Sequence, residues 1–299
     1  MPIIKKDDIA PQRPVVIVIY GTPGSGKTSV ANTADQVVMI DCDRGFDRAA
    51  VRVDTITART WEEIIAEESI LKNYKTVSVD TAKSCLDDFL ALYAVKRDYK
   101  LKTNKQKMYG FIGDEFKEFV NRRREEGADL IFVAHDKEDV DKDITRHSPD
   151  VTGQSKNLLL RIADQVGYIR VTNNKRVISF DPTEEYIGKN VAELPQMEIP
   201  EKDNPAFQTF MAGIIKQVKE KIQAKTESQK KALEKIAEMS EKISSLSTTE
   251  EADSILKELN ELPKAQQVQL KKALQSKTNE LKFEFDKENN KFKIASAAE

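Results

Sequence analysis

One stretch of eight residues near the start of the chain constrains its fold more than any other. Two glycines separated by four residues are followed by a lysine and a hydroxyl residue, which is the spacing of a P-loop. The eight residues are Gly21, Thr22, Pro23, Gly24, Ser25, Gly26, Lys27 and Thr28. In such a loop, backbone N–H groups turn onto phosphate oxygens, the lysine reaches the β- and γ-phosphates, and the hydroxyl ligates Mg²⁺. The sequence therefore predicts a nucleoside triphosphate bound together with Mg²⁺.

The segments around this loop predict a parallel sheet. The apolar run 15–20 enters the loop as a strand buried on both faces would, and residues 27–34 leave it as a helix. Further strands are predicted over residues 37–40, 75–79, 129–134, 165–172 and 176–180. The last two flank Asn173-Asn174 as a hairpin, and the polar stretch 136–155 is interpreted as a loop or a mobile hairpin. We expect an α/β fold with a mostly parallel sheet and an antiparallel edge hairpin.

A change in composition divides the chain into two regions. No glycine occurs after Gly213, and Glu, Lys, Ala, Leu and Gln dominate from there on, as they do in helices. We therefore predict a nucleotide-binding core over residues 1–215 and an all-helical extension over residues 216–299.

The overall charge and the apolar runs exclude several classes of protein. The 48 Lys and Arg against 50 Asp and Glu give a net charge of −2, so a nucleic-acid site must be a local patch. Because the chain has no run of 18 apolar residues and no apolar leader, we expect no membrane span and no signal peptide. Its two cysteines, Cys42 and Cys85, fit a reduced cytoplasmic compartment better than a disulfide framework.

Polar residues at the ends of predicted strands are candidates for metal binding and acid–base chemistry. Asp80 lies where a Walker B carboxylate holds Mg²⁺ through water, and the alternative is an Asp that caps the following helix. Asp41 and Asp43 are candidates for the general base, and Asp43 is better placed to reach a γ-phosphate. The alternative is two solvated loop aspartates. His135 is a candidate γ-phosphate sensor or a structural histidine.

A cluster of cations lies at residues 96–109. Its basic residues are Lys96, Arg97, Lys100, Lys102, Lys105 and Lys107, and Tyr99 and Tyr109 interleave with them. Clustered cations beside aromatic rings suit single-stranded nucleic acid, because the rings stack on bases while the cations pair with phosphates. The alternative is a solvated surface loop.

Taken in chain order, these motifs resemble the RecA-like P-loop ATPases, and in particular the short phage recombinases of the Sak group. The resemblance covers about residues 13–195. It rests on Gly21–Thr28, Met39-Ile40-Asp41-Cys42-Asp43, Val77-Ser78-Val79-Asp80-Thr81, Phe132-Val133-Ala134-His135 and Arg161-Ile162-Ala163-Asp164-Gln165-Val166.

The resemblance implies a role for each candidate. Asp43 takes the place of a catalytic Glu, His135 takes the place of a Gln sensor, and the segment 96–110 takes the place of the first DNA-binding loop. Lys189 lies where RecA-type proteins present a lysine to the ATP of a neighbouring subunit. The implied catalytic set is therefore Asp43, Lys27, His135 and Lys189. The implied partners are single-stranded DNA, further copies of the chain in a filament or ring, and a single-strand-binding protein.

Three functions remain open at this point. The first is an ATP-dependent recombination or annealing protein that binds single-stranded DNA in the host cytoplasm. The second is a small-molecule phosphotransferase, for which residues 96–124 would form a lid. The third is a nucleotide-gated interaction protein whose helical tail recruits a partner. A GTPase is disfavoured, because the guanine signature Asn-Lys-x-Asp is missing and Asn174-Lys175 is followed by Arg176-Val177.

Overall fold

The computed structural model of the chain describes residues 12–141, 144–286 and 291–294. One compact unit extends to Ile222, and a second contains the described residues from Gln223 onward. The boundary lies inside the helix Phe210–Ser244, whereas composition placed it at 215/216. The reason is that Val218, beyond the last glycine, still packs into the core of the first unit.

In the part of the chain that the structure describes, ten strands of the first unit form one mixed sheet. The strands are β1 (Val16–Gly21), β2 (Val37–Asp41), β3 (Asp54–Thr57), β4 (Thr76–Asp80), β5 (Asp129–Asp141), β6 (Ile144–Pro149), β7 (Gln165–Thr172), β8 (Lys175–Ser179), β9 (Lys189–Asn190) and β10 (Met197–Glu198). Their order is β10-β8-β7-β1-β5-β4-β2-β3, with β6 paired to β5 and β9 paired to β7. The pairings from β7 to β3 are parallel, and the remaining ones are antiparallel. The predicted α/β fold is confirmed.

Helices cover both faces of this sheet and build most of the second unit. They are α1 (Lys27–Ala31), α2 (Trp61–Ala66), α3 (Glu68–Leu71), α4 (Ala91–Arg97), α5 (Lys105–Glu125), α6 (Gly153–Ile162), α7 (Phe210–Ser244), α8 (Thr249–Glu261) and α9 (Lys264–Glu280). A π-helical stretch, Ser84–Leu90, leads directly into α4. None of the helices in the described ranges is both long and apolar enough to cross a membrane.

The central strand β1 is buried over all six of its residues. Since alternate side chains of a strand point to opposite faces, Val16, Val18 and Tyr20 enter one core and Ile17 and Ile19 enter the other. The first core includes residues of α4, α5 and α6, and the second includes residues of α1 and α7. Packing on both sides explains why the sequence of β1 is continuously apolar.

Two carboxylates fix the amino end of β1. Asp129 accepts the N–H of Val15 at 2.9 Å, and Asp164 accepts the N–H of Val16 at 3.0 Å. Arg13 donates two hydrogen bonds to Asp164, at 3.0 and 2.5 Å. With this end anchored, the carboxyl end of β1, where Gly21 lies, has a defined position in the sheet.

Some elements differ from the sequence-based expectations. The edge strand β3 was not predicted, because its pattern of exposed and half-buried residues lacks an apolar run. The cationic segment 96–109 is not a loop: it spans the end of α4, a 3₁₀ turn over Tyr99–Lys102 and the first turn of α5. β5 continues well past Ala134 and pairs with β6, so of the two alternatives for the stretch 136–155 the hairpin is the one observed, and α6 begins within that stretch at Gly153.

The second unit has a small core of its own. Its helix α8 begins at a capping box in which Thr248 accepts the N–H of Glu251. The unit also contains a hairpin of β11 (Phe283–Asp286) and β12 (Lys291–Ile294), which we did not predict in the helical extension. The core of this second unit is formed by the buried apolar residues Met239, Ile243, Leu246, Ala252, Ile255, Leu259, Leu270 and Leu274.

Candidate functional site

The P-loop connects the carboxyl end of β1 to α1. Gly24 and Gly26 have φ angles of +79° and +88°, in the left-handed region where a side chain would be strained. Gly26 immediately precedes the first helical residue, Lys27. These φ angles explain the glycines at positions 24 and 26, whereas a side chain at Gly21 would clash with the carbonyl oxygen of Ile169. The loop thereby orients its backbone N–H groups and those of the first helical turn.

Lys27 lies over the loop with its ammonium largely out of water. Its Nζ donates a hydrogen bond to the carbonyl oxygen of Thr22 at 2.9 Å. Burial lowers the pKa of Lys27, and the charges of Asp80 and Asp136 act in the opposite direction. A phosphate placed in the loop would supply the counter-charge that this desolvated ammonium needs.

Thr28 and Asp80 place two oxygen atoms side by side at the start of α1 and the end of β4. The Thr28 hydroxyl donates to Asp80 Oδ2 at 2.5 Å. Burial raises the pKa of Asp80, and the hydrogen bond from Thr28 lowers it. A hydroxyl and a carboxylate are oxygen ligands of the kind that Mg²⁺ prefers, so this pair fits the predicted metal. When bound, the metal would neutralise phosphate charge and would favour the ionised form of Asp80.

Asp41 holds the loop that follows β2. Its buried carboxylate accepts backbone N–H groups from Asp43 at 3.2 Å, Gly45 at 3.0 Å and Phe46 at 3.3 Å. Because these contacts use both carboxylate oxygens, Asp41 is occupied by the backbone. Its position favours a structural role over that of a general base.

Asp43 also lines the cleft, and its carboxylate contacts side chains rather than backbone. It accepts a hydrogen bond from the hydroxyl of Ser84, and its Oδ2 lies 3.6 Å from His135 Nε2. The contact with His135, together with those from Ser84 and Thr81, lowers the pKa of Asp43, so the carboxylate stays ionised near neutral pH. An ionised carboxylate at the edge of the site is what a general base requires.

His135 owes its position to the order of the strands. β5 lies between β1 and β4, and His135 pairs in register with Gly21, the first residue of the P-loop. The side chain therefore lies at the same edge as Asp80, next to Asp43. Its Nδ1 is buried and has no partner among the described residues.

These groups line one cleft of about 300 Å³ at the carboxyl edge of the parallel strands. Its lining residues are Pro23, Gly24, Gly26, Lys27, Thr28, Ser29, Asp41, Asp43, Gly45, Arg48, Ala49, Asp80, Thr81, His135 and Lys202. The structure thus brings together Lys27, Thr28, Asp43, Asp80 and His135. Ligand clefts of open α/β sheets form at this edge.

Besides Arg48, which also lines the cleft, the sequence did not reveal two further cations near the P-loop. Lys202 reaches the cleft from the loop after β10. The guanidinium of Arg176, on β8, lies close against Gly26: a Cβ atom at position 26 would be only 2.8 Å from its Nη1. The Nη2 of Arg176 donates a hydrogen bond to the carbonyl oxygen of Pro200 at 3.0 Å. Arg176 thereby connects the P-loop to the segment that carries Lys202. No short motif surrounds either residue, so the sequence alone offers no signal for them.

Lys189 is not in the cleft of its own chain. It lies on β9 and pairs with Val166 at the beginning of β7, toward the opposite edge of the sheet from the P-loop. Its Nζ donates to the carbonyl oxygens of Leu160 at 3.2 Å and Arg161 at 3.3 Å, near the end of α6.

The basic residues of the segment 96–109 all lie exposed. Lys96 forms an ion pair with Glu62 at 3.0 Å. The ring of Tyr99 is 71 % exposed, and the Nζ of Lys102 lies 5.5 Å from its centre. Tyr109 is half-buried on α5. The segment is therefore a surface of cations around one solvent-facing aromatic ring.

A protein-family model described as an AAA domain matches residues 13–192. Among curated proteins, no sequence matches the chain. The matched range contains the P-loop, the strand that ends at Asp80, and His135, and it spans more than half of the chain. The chain therefore belongs to the AAA domain family and is a P-loop ATPase.

Proposed function

We propose that the protein is an ATPase that couples ATP hydrolysis to the binding of single-stranded DNA, in recombination or strand annealing. The observation that carries this proposal is a continuous helical connection. Ser84, which donates to Asp43, begins the helical stretch that continues through α4 to Lys96 and Arg97. An uninterrupted helical stretch thus joins the proposed general base to the cationic segment.

The catalytic part of the proposal assigns one task to each residue. Lys27 and the loop N–H groups bind the triphosphate, and Thr28 and Asp80 hold Mg²⁺. Asp43 accepts a proton from the attacking water, and His135 orients Asp43 and senses the γ-phosphate. The missing guanine signature favours ATP over GTP.

The DNA-binding part depends on exposed charge. Lys100, Lys102, Lys105 and Lys107 are all exposed, and the Nζ of Lys102 lies 5.5 Å from the centre of the exposed ring of Tyr99. Phosphates would pair with the lysines while a base stacks on the ring. Such binding releases counterions from the nucleic acid. Because that release is less favourable when the salt concentration is already high, the affinity falls as salt rises.

The assembly part gives Lys189 a role between subunits. In an oligomer with ATP at subunit interfaces, Lys189 would leave the carbonyl oxygens near the end of α6 and contact the nucleotide of a neighbouring copy. A single-strand-binding protein is a further proposed partner.

One experiment separates this proposal from its alternatives. ATP turnover is measured with and without single-stranded DNA, using Lys27→Ala as the inactive control. Stimulation by DNA supports coupling, whereas equal rates with and without DNA would refute it.

A phosphotransferase is less well supported. Its lid would require α5 to move, but α5 is anchored by the buried side chains of Ile112, Phe116 and Phe119.

A further inference from the structure

The hairpin of β5 and β6 carries three metal-ligand side chains on one face. Asp136 and Glu138 are two residues apart on β5, so their side chains point the same way. Glu138 pairs directly with His147 across the ladder, and directly opposed residues have their Cβ atoms about 5 Å apart. One ligand atom from each of the three residues lies within 4.8 Å of the others. The register of the hairpin thus produces the cluster.

The carboxylate of Asp136 lacks part of its expected partners. Its side chain is only 3 % exposed. Oδ2 receives both described contacts, from His147 Nδ1 at 2.6 Å and from the Tyr168 hydroxyl at 3.4 Å. Oδ1 is buried and has no hydrogen-bond partner among the described residues. A buried carboxylate oxygen without a donor is costly, and a cation would relieve that cost.

The imidazole of His147 is held in place for ligation. Its ring stacks on Tyr168, with 5.1 Å between ring centres and 24° between planes. Its backbone N–H donates to the carbonyl oxygen of Glu185 at 2.7 Å, and its own carbonyl oxygen accepts from the Tyr20 hydroxyl at 3.3 Å. Because strand pairing and stacking fix this ring, ligand binding would require little reorganisation.

We propose that Asp136, Glu138 and His147 form a binding site for a first-row divalent cation, with Zn²⁺ or Mn²⁺ as the matching ions. One imidazole and two carboxylates suit these ions better than the all-oxygen sets of Mg²⁺ and Ca²⁺. Binding would replace the His147–Asp136 hydrogen bond with two bonds to the ion. The ion would fasten β6 to β5 immediately beyond His135.

This site is distinct from the magnesium ligands of the P-loop. Asp136 follows His135 on β5, and neighbouring side chains of a strand point to opposite faces. His135 faces Asp43 in the nucleotide cleft, whereas Asp136 faces Tyr168 and His147. The two sites share no ligand, so each can be removed separately.

The test measures metal binding to the full chain without nucleotide. Chelator-treated protein is dialysed against micromolar Zn²⁺ or Mn²⁺, and bound metal is measured by mass spectrometry. We expect one equivalent in the parent protein and at least about tenfold weaker binding in Asp136→Asn and His147→Ala. Asp80→Asn should bind normally, because it alters only the P-loop site. No bound metal in the parent protein, or loss in Asp80→Asn alone, would overturn the proposal.

A second variant guards against misfolding, since Asp136 and His147 also pack in the hairpin. Glu138 is exposed, so Glu138→Gln should fold normally and still bind the metal at least about tenfold more weakly. The matched control is Asp139→Asn, the next residue of β5, whose carboxylate pairs with Lys137 at 2.8 Å. Zn²⁺ should raise the melting temperature of the parent and of Asp139→Asn but not of Glu138→Gln. Full affinity in Glu138→Gln would contradict a three-ligand site.

Discussion

The nucleotide cleft and the cationic segment 96–109 are both rich in charge, but they organise it in opposite ways. In the cleft, Lys27, Thr28 and Asp80 are buried or half-buried and bonded to one another or to backbone. In the segment, the lysines are exposed. Among the residues that the structure describes, Lys96 forms an ion pair, with Glu62. The cleft holds its charged groups in defined contacts, whereas the segment presents its charged groups to solvent.

This difference in burial determines which region indicates its ligand by its structure alone. Buried polar groups pay a desolvation cost unless a ligand or partner completes them, so their arrangement points to a particular ligand. Exposed lysines carry no such cost and are compatible with solvent alone. Nucleotide binding therefore follows from geometry, while DNA binding stays a proposal that experiments on the segment must decide.

The strongest test of the cleft is Lys27→Ala. We expect ATP turnover to fall at least about a hundredfold, because a buried ammonium that pairs with the bound phosphates would contribute electrostatic stabilisation that water cannot replace. Steady-state hydrolysis assays measure the effect. Lys75→Ala serves as the control, since Lys75 forms an exposed ion pair with Asp35 outside the cleft. Parental turnover in Lys27→Ala would break the assignment of the site.

Within the cleft, Asp43→Asn and Asp41→Asn should separate catalysis from structure. Asp43→Asn removes the proposed base and should lower turnover about a hundredfold with little change in melting temperature. Asp41→Asn weakens the acceptor for three backbone N–H groups and should cost about 1–3 kcal/mol of unfolding free energy. Turnover and thermal melting of both variants give the comparison. The reverse pattern would make Asp41 the base.

In the cationic segment, Lys100, Lys102, Lys105 and Lys107 are changed together to Gln. Affinity for single-stranded DNA should fall about tenfold or more, and the salt dependence should flatten by up to about 3 in logarithmic slope. Nucleotide affinity should not change. The matched control neutralises Lys230, Lys231, Lys271 and Lys272 on α7 and α9, which alters net charge equally. Equal DNA affinity in both quadruple variants would leave the segment a solvated surface.

A smaller effect is expected at Lys202, the cleft residue that lies beyond the family match. Lys202→Ala removes one charge from the cleft wall, and the affinity for ATP should fall about tenfold. Lys202→Arg should restore most of it. Lys175→Ala is the control, because Lys175 pairs with Glu198 outside the cleft. Binding of a fluorescent nucleotide measures all three variants, and unchanged affinity in Lys202→Ala would exclude a contact with ATP.

The smallest effect should come from Lys189→Ala in the isolated chain. The loss of a cation from the carbonyl oxygens near the end of α6 should cost about 0.5 kcal/mol of unfolding free energy, with turnover unchanged. In an assembled oligomer, turnover should fall several-fold if Lys189 acts on a neighbour. Size-separated monomer and oligomer fractions are assayed in parallel. Reduced turnover of the monomer would instead point to a role within the same chain.

Much of the core could be predicted because its signals are local. The P-loop places all of its ligands within eight consecutive residues, and the buried parallel strand β1 is apolar up to the glycine that ends it. Weakly patterned elements could not be predicted. β3 is short and half-exposed at the sheet edge, and the charged first turn of α5, which begins at Lys105, resembles a loop in sequence. Its N-cap, Asn104, accepts the N–H of Lys107.

The sequence by itself determined a P-loop motif at Gly21–Thr28 and placed Asp80 at the end of a predicted strand. The tertiary structure decided that Asp43 rather than Asp41 faces His135, that Lys202 joins the cleft, and that Lys189 does not. The physical reason is sequence separation. A motif of consecutive residues carries its own geometry, whereas residues from β2, β5 and the loop after β10 meet only because the order of the sheet brings their ends to one edge.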